Sequence, residues 1–289
     1  MIQLDYKKLS ATEQTILDDL QHKVNLKTPF LEKTAEAQNL WGSKGGVTGK
    51  QAFEKIRAEL YNLCVFVGVC NYCEQSEAND IEHIHPKSFF PEFSFVWDNY
   101  LLACKQCNSA FKLDKCYIID PSDELFSVPR KTEPPHKTHA LINPRTENPN
   151  DFMVLNLKTF RFMPLPDLSK KDENRVKATL EILALNERDV LIEARKSASR
   201  HFYDLFERLV RIRESSSIVE LEQCLYPNEE FINRNLTIGE IQEQLTLSFK
   251  KHITKNQHPS VWHSIKIIAS RTDERWINLF NRFPEALHW

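Results

Sequence analysis

Two Cys-x-x-Cys pairs are the first feature of this sequence that could do chemistry: Cys70 with Cys73, and Cys104 with Cys107. A tight turn lets both sulfurs of a pair reach one ion, and two pairs complete a tetrahedral four-thiolate zinc site. Thirty residues (74–103) separate the pairs, so a folded segment is expected between them. Buried cysteines acting as small apolar residues are the alternative, but two paired spacings favour structural zinc. The remaining cysteines lack this spacing and are predicted to pack in the interior: Cys64, Cys116 and Cys224.

A carboxylate and an imidazole stand side by side between the pairs, at Glu82 and His83. The Glu82 carboxylate is a hard oxygen ligand suited to Mg²⁺ or Mn²⁺, and so is the side-chain carbonyl of Asn108. His83 can accept a proton from water near neutral pH. A divalent ion beside an imidazole base is what phosphodiester hydrolysis needs, because the ion stabilises the leaving oxyanion while the base activates water.

The order of these residues resembles the HNH endonuclease family in its zinc-bound form, a ββα-metal fold. The matching elements are Cys-x-x-Cys, EHIHPKS, WDNYLLACxxCN and a following lysine, within residues 70–112. The resemblance implies a hydrolase in which a β-hairpin and a helix hold one catalytic metal. It implies His83 as the general base and Glu82 and Asn108 as ligands of that metal. Asn99 would hold the hairpin and orient the base.

Two positions depart from the commonest family pattern. Glu82 stands where Asp or His is commoner, and its different reach moves the metal slightly. Asn108 stands where His is commoner, which favours a harder ion. Neither change removes a needed function. Lys112, four residues further on, is a candidate phosphate contact, with a solvated helix lysine as the alternative.

The sequence leaves a choice of base between His83 and His85. In an extended strand, positions 83 and 85 share a face, while Glu82 points away from it. A strand end or a bulge could still bring Glu82 and His83 to one ion. The family register favours His83, and His85 is then a supporting residue outside the metal ligands, fixed by Pro86.

The elements around this segment predict a mainly α fold with a small α+β insert. A zinc-stapled ββα-metal module would be flanked by helical N- and C-terminal regions. Eight of the fourteen prolines lie in residues 117–167, which excludes a continuous helix there and predicts an extended surface connector with a short strand near 153–162. Apolar residues at helical spacing predict helices at 10–24, 29–40, 50–63, 191–212, 238–251, 261–269 and 275–283.

The changes in amino-acid composition along the chain predict four segments. Residues 1–63 form a helical N-terminal cap, and residues 64–116 form the nuclease module with its Cys₄ zinc site. Residues 117–167 are the proline-rich connector. Residues 168–289 form a helical C-terminal domain that binds a partner or nucleic acid.

The amino-acid composition is that of a globular protein and excludes a membrane-spanning one. The chain has 289 residues, 41% hydrophobic and 27% charged, as in ordinary globular proteins. Its longest apolar run, residues 63–70, is far shorter than the roughly 20 residues that cross a bilayer, and no signal-peptide pattern is present. A cytoplasmic protein without membrane contact is expected. A phosphate loop around Gly49 and Lys50 is excluded, because Lys44 and Gln51 stand where that motif needs Gly and Ser or Thr.

The charge distribution favours an enzyme whose activity is controlled by a partner over an enzyme that acts alone. The whole chain has a net charge of −2, so no overall positive field attracts nucleic acid. Residues 64–116 contain seven acidic residues against four lysines, a net charge of −3. Such a module repels phosphate except where a metal or a neighbouring basic surface compensates.

The flanks resemble the long-tailed HNH proteins of bacterial anti-phage systems, in particular the nuclease subunit of Septu-type and related retron systems. That likeness implies host defence, a complex with an ATPase subunit, and activity gated by the partner. The expected cofactors are structural Zn²⁺ and catalytic Mg²⁺ or Mn²⁺, and DNA is favoured over RNA as the substrate. The alternatives are a non-catalytic zinc module that binds nucleic acid or protein, and a standalone restriction-type endonuclease. The flanking motifs are INP (142–144), ENP (147–149), LALNER (183–188) and HPSVW (258–262).

Overall fold

Helices make up most of the chain in this computed structural model, which describes residues 1–113, 115–226 and 232–289. The helices are α1 (Ala11–Asn25), α2 (Phe30–Ser43), α3 (Val47–Asn62), α4 (Lys170–Leu183), α5 (Asp189–Glu214), α6 (Ile218–Leu225), α7 (Ile238–Thr254), α8 (Pro259–Ser264), α9 (Ser270–Thr272) and α10 (Glu274–Arg282). The strands are β1 (Asp80–His83), β2 (Tyr100–Ala103), β3 (Tyr117–Ile119), β4 (Leu125–Ser127), β5 (Met153–Asn156) and β6 (Arg161–Pro164). A mainly helical chain with small antiparallel sheets confirms the expected fold class at this level.

Two compact units divide the chain. The first comprises Met1–Val154 and Arg161–Leu191, and the second comprises Leu155–Phe160 and Ile192–Trp289. These divisions differ from the four predicted segments, because the cap, the module, most of the connector and α4 all belong to the first unit. The prediction followed changes in composition, whereas the units follow tertiary contacts. No helix among the described residues is both long and apolar enough to cross a membrane.

The connector is more structured than the sequence predicted. Strands β3 and β4 pair antiparallel, with Ile118 opposite Phe126. Apolar side chains of the connector are buried rather than laid over a surface, among them Ile118 and Ile142. The Ile142 amide donates to the Thr179 hydroxyl of α4 (3.0 Å), which fastens the connector to that helix. Prolines exclude a continuous helix, but they leave room for short strands and for buried apolar residues between them.

The first three helices begin and end within a few residues of the predicted positions. Their inner faces bury apolar side chains at helical spacing, such as Leu17 and Leu20 of α1 and Ile56 of α3. Helix α2 ends at Ser43, and Lys44 after it adopts a left-handed conformation with φ of 55°. Residues 44–46 therefore form the turn between α2 and α3, and Gly49 lies in the first turn of α3.

A hairpin and a wide helical turn form the centre of the cysteine-rich segment. Strand β1 pairs antiparallel with β2, in a register that places Asp80 opposite Ala103 and His83 opposite Tyr100. Every residue of β2 is buried. After β2 the segment Gln106–Lys112 forms a π-helical turn, a feature found frequently at functional sites.

The second unit is held by an aromatic core. Phe206 of α5 contacts Trp262 (ring centroids 5.7 Å apart), Trp276 (6.3 Å) and Phe280 (4.8 Å). All four side chains are buried. Such rings bury large apolar areas, and polar side chains such as Arg195 and His258 are buried in the same unit.

Candidate active site

The four paired cysteines converge on one point. All four are buried, and their sulfur atoms lie within 4.8 Å of one another. The sulfurs of Cys73 and Cys104, one from each pair, are 3.8 Å apart. A tetrahedron of thiolates at about 2.3 Å from zinc has edges of about 3.8 Å, so the cluster has the dimensions of a zinc site.

Backbone hydrogen bonds position the two cysteine turns. In the first turn the Cys70 amide donates to the Ser76 carbonyl (2.8 Å), and the Glu74 amide donates to the Cys70 carbonyl (2.9 Å). The backbone and side-chain amides of Asn71 both donate to the Leu102 carbonyl, at 3.2 and 3.0 Å. The first cysteine turn is thereby attached to β2, which leads directly into the second pair.

A guanidinium supports the cysteine cluster from outside. Nη1 of Arg188 lies 3.2 Å from the sulfur of Cys107, and the guanidinium also covers the ring of Phe111 at 4.8 Å. A positive charge beside thiolate ligands stabilises them in their ionised form. The sequence offered Arg188 as part of a flanking motif, without a link to the cysteines 81 positions earlier.

His83 ends strand β1 with its ring held on three sides. Its Nε2 lies 3.0 Å from the Ser94 carbonyl, which also accepts a bond from the Tyr100 hydroxyl (2.5 Å). Since a carbonyl only accepts, Nε2 carries the hydrogen and Nδ1 keeps its lone pair. The indole of Trp41 packs against the ring at 4.2 Å. Burial, with the charge of Lys87 nearby, holds the pKa of His83 well below its ordinary value, so the imidazole is a neutral base at pH 7.

Glu82 and Lys112 form a buried ion pair beside this base. Nζ of Lys112 lies 2.5 Å from Oε1 of Glu82 and donates to the His83 carbonyl at 2.7 Å. Burial raises the pKa of Glu82, and the charge of Lys112 opposes that rise. Lys112 is 2% exposed, so it is not a solvated helix lysine. Its ammonium is engaged internally, and the geometry gives no support to the predicted phosphate contact.

Asn108 lies in the π-helical turn and is oriented by a residue of β1. Its Nδ2 is 3.3 Å from Oδ2 of Asp80. With the amide nitrogen directed at that carboxylate, the amide oxygen remains available for a cation. Asp80 is an unpredicted contributor, although it lies only two residues before the EHIHPKS segment that contains Glu82 and His83.

One cavity of about 110 Å³ brings the predicted residues together. Glu82, His83 and Asn108 all line it. Along an extended strand, Glu82 and His83 would point to opposite faces. Strand β1 ends at His83, however, and both residues line the cavity. A carboxylate oxygen and an amide oxygen suit a hard divalent ion, and the neighbouring imidazole suits a proton acceptor. Other lining residues had no predicted role, among them Trp41 and Lys87.

Asn99 fastens the loop that follows β1. Its Oδ1 accepts from the His85 amide (2.7 Å), and its Nδ2 donates to the carbonyls of His85 (3.1 Å) and Phe93 (2.8 Å). The same loop supplies the Ser94 carbonyl that orients His83. The ring of His85 lies instead against Phe93, with centroids 4.8 Å apart. His83 lines the cavity, whereas His85 is not among its lining residues.

Comparison with known proteins matches this segment to a family. Residues 70–111 match the family model of the HNH endonuclease. The Septu protein PtuB of Bacillus thuringiensis is 24% identical over 188 residues, which are 65% of this chain and 62% of that protein. A Vibrio cholerae (serotype O1 biovar El Tor) protein named as a candidate HNH endonuclease of retron Vc95 is 28% identical over 143 residues, 47% of this chain and 61% of that protein. The chain thus matches about six tenths of each relative's length. No solved structure matches it significantly.

Proposed function

We propose that this chain, whose residues 70–111 form an HNH endonuclease domain, hydrolyses phosphodiester bonds of nucleic acid with the help of a divalent ion. The observation that carries this proposal is the single cavity lined by Glu82, His83 and Asn108. A hard-ligand pair and a neutral imidazole in one cavity are what metal-assisted hydrolysis requires. Nucleic acid is the substrate class, and DNA is the favoured member of it.

The proposed roles follow from the contacts of each side chain. His83 accepts the proton of the attacking water at Nδ1, while the Ser94 carbonyl fixes the opposite nitrogen. Glu82 and the Asn108 amide oxygen would hold Mg²⁺ or Mn²⁺. When bound, such an ion supplies positive charge that stabilises the leaving oxyanion. Asn99 keeps the loop of residues 84–99 closed, so that the base stays oriented.

Lys112 would keep Glu82 ionised before the divalent ion binds. A carboxylate ligand must be ionised before an ion binds, yet burial alone favours the protonated form of Glu82. The Lys112 ammonium at 2.5 Å opposes that tendency. Lys112 thereby keeps Glu82 ready for a divalent ion, which would compete with the ammonium for the same carboxylate.

A structural zinc ion is the second proposed cofactor. Cys70, Cys73, Cys104 and Cys107 offer four buried sulfurs at tetrahedral dimensions. The second pair directly follows β2 and leads into the turn with Asn108. Zinc would therefore hold the hairpin and that turn together, which a module with four-residue strands needs.

The biological setting is proposed from the relatives. We propose that the chain is the nuclease subunit of a bacterial anti-phage defence complex and acts beside an ATPase subunit. The support is the similarity to a Septu protein and to a retron-associated protein. The net charge of −3 in residues 64–116 agrees with an enzyme that needs a partner to approach phosphate.

The test of catalysis compares His83→Ala with His85→Ala, its matched control. Each variant, purified together with the subunit that co-purifies with it, is incubated with plasmid DNA and with RNA, first with Mg²⁺ or Mn²⁺ and then with EDTA. We expect His83→Ala to lower the cleavage rate about 10³-fold, with unchanged zinc content and unchanged thermal melting. His85→Ala should retain more activity. Parental cleavage by His83→Ala, or full cleavage in EDTA, would contradict the proposal.

Co-purification tests the complex. The chain is expressed with the product of its neighbouring gene, and both nucleic acids are offered to the chain alone and to the complex. We expect an ATPase to co-purify and cleavage to depend on it. Strong sequence-specific cleavage by the chain alone would favour a restriction-type enzyme. Binding of nucleic acid without cleavage in any mixture would favour the non-catalytic zinc module.

A further inference from the structure

We infer that Lys44 and Lys87, gathered on the indole of Trp41, bind a backbone phosphate of the nucleic acid beside the hydrolytic cavity. The N-terminal helical region would then supply part of the substrate-binding site, because Trp41 lies in the last turn of α2 and Lys44 directly follows that helix. This inference rests on the proposed nuclease function and deepens it. Neither lysine received a function from the motif analysis.

Geometry places both ammonium groups next to the base. Trp41 packs on His83 with centroids 4.2 Å apart, and Trp41 and Lys87 line the same cavity as His83. Nζ of Lys44 lies 2.9 Å from the centroid of the Trp41 ring, and Nζ of Lys87 lies 5.6 Å from it. One indole ring thus gathers two cations immediately beside the residue proposed to activate water.

The charges around Lys44, Lys87 and Glu82 are not balanced. Within the described parts of the chain, neither Lys44 nor Lys87 forms an ion pair, and the Glu82 carboxylate is already paired with Lys112. Positive charge therefore exceeds negative charge here: Lys112 and Lys87 both lie near Glu82, and Lys44 lies on the indole of Trp41. Burial lowers the pKa of Lys87, and burial with the charge of Lys87 lowers the pKa of Lys44 to about 7. An anion between the two lysines would relieve this repulsion.

The backbone holds Lys44 in place. Helix α2 ends just before it, the Lys44 amide donates to the Leu40 carbonyl (2.7 Å), and its φ is 55°. The Lys44 carbonyl approaches Gly49 of α3 so closely that a Cβ at position 49 would lie 1.6 Å from its oxygen. Only glycine permits this approach. The lysine is therefore presented by a fixed turn rather than by a free loop.

Contact with the indole does not by itself account for the position of both lysines, whereas a bound phosphodiester would. An ammonium is attracted to the face of an indole only within about 6 Å of the ring centroid. Lys87 lies close to that limit, so the ring by itself holds it weakly. The two unesterified oxygens of a phosphodiester can accept from two ammonium groups at once. The site would make this contact without reading base sequence.

Binding measurements test the inference separately from catalysis. The variants are Lys44→Gln, Lys87→Gln and the double variant, and Lys23→Gln on exposed α1 sequence is the matched control. A short fluorescein-labelled DNA duplex and its RNA counterpart are titrated with each variant, prepared together with its co-purifying subunit, without Mg²⁺ or Mn²⁺ at several salt concentrations. We expect each single variant to weaken binding about tenfold and to reduce the salt slope of log Kd by about 1. The control should match the parent.

The outcomes distinguish this inference from the proposed function. His83→Ala should bind with the parental slope although it does not cleave. If Lys44→Gln and Lys87→Gln bind with the parental slope, the inference is wrong while the nuclease proposal stands. Absence of binding by the parent to both nucleic acids also overturns it. Lys44→Arg and Lys87→Arg keep the charge and should keep the slope, which separates a phosphate contact from a folding defect. In cleavage assays the Gln variants should raise KM more than they lower kcat.

Discussion

Two regions of this molecule have interiors of different chemical character, one with paired polar groups and the other with aromatic rings. The hairpin region, residues 70–113, buries the polar side chains of Glu82, His83, Asn99 and Lys112, each with a hydrogen-bonding or ionic partner. The aromatic core of the second unit, formed by Phe206, Trp262, Trp276 and Phe280, is packed from large rings.

The difference shows what each region depends on. A buried polar group destabilises the fold unless it is paired, so the hairpin region needs its hydrogen bonds and its four cysteines all at once. Buried rings need only neighbours of the right shape. A catalytic site requires the first arrangement, because only polar groups can move protons or hold metal ions. The predictions below are expected to affect one region and spare the other.

The largest effect is expected from loss of zinc. Changing Cys104→Ser together with Cys107→Ser removes two ligands, and structural zinc contributes of the order of 10 kcal/mol in small domains. We expect the variant to lose zinc and all cleavage while helical circular dichroism persists in large part. Cys224→Ser, which alters the apolar cluster of α6 and α7, should keep its zinc. Cleavage by a zinc-free variant would refute the structural role.

The second effect is expected in the aromatic core. Phe206→Ala removes a fully buried ring that packs against Trp262, Trp276, Phe280 and Phe283, which costs about 3–5 kcal/mol. Denaturant unfolding followed by tryptophan fluorescence should show a lower midpoint. Zinc content at low denaturant should stay at one ion per chain. A parallel loss of zinc would show that the two regions do not fold independently.

The third effect concerns Asn99. Replacement by Ala leaves the carbonyls of His85 and Phe93 and the His85 amide without this partner, at a cost of about 2–3 kcal/mol. Cleavage should fall about 10–100-fold because the loop that orients His83 loosens. Asn186→Ala is the matched control, since its side chain likewise bonds to the backbone, with two hydrogen bonds to Phe162. Its kcat at a temperature where it is folded should equal that of the parent.

The smallest effect is expected at a helix start in the second unit. Thr237 and Glu240 form a reciprocal capping box at the beginning of α7. Thr237→Ala should lower the free energy of unfolding by about 1 kcal/mol, visible as a shifted thermal transition. Zinc content and cleavage rate should not change. A drop in cleavage at full folding would mean that α7 influences the active site.

Short-range patterns determined much of this protein in advance. The two Cys-x-x-Cys spacings, the EHIHPKS segment and the CxxCN turn identified the HNH family, which the family match confirmed. The N-terminal helices lie within a few residues of their predicted ranges, since their caps and apolar spacing are local properties. The predicted gathering of Glu82, His83 and Asn108 agrees with one shared cavity.

Only the tertiary structure decided which other groups surround that cavity and the cysteine cluster. Trp41 comes from α2, Arg188 approaches Cys107 from 81 positions away, and Lys112 turns inward to Glu82. None of these contacts follows from spacing, because they join residues that are distant along the chain or could face either way on a helix. The sequence by itself therefore determined the chemistry available. The fold determined which charges and rings surround it, since burial and pairing depend on the whole unit at once.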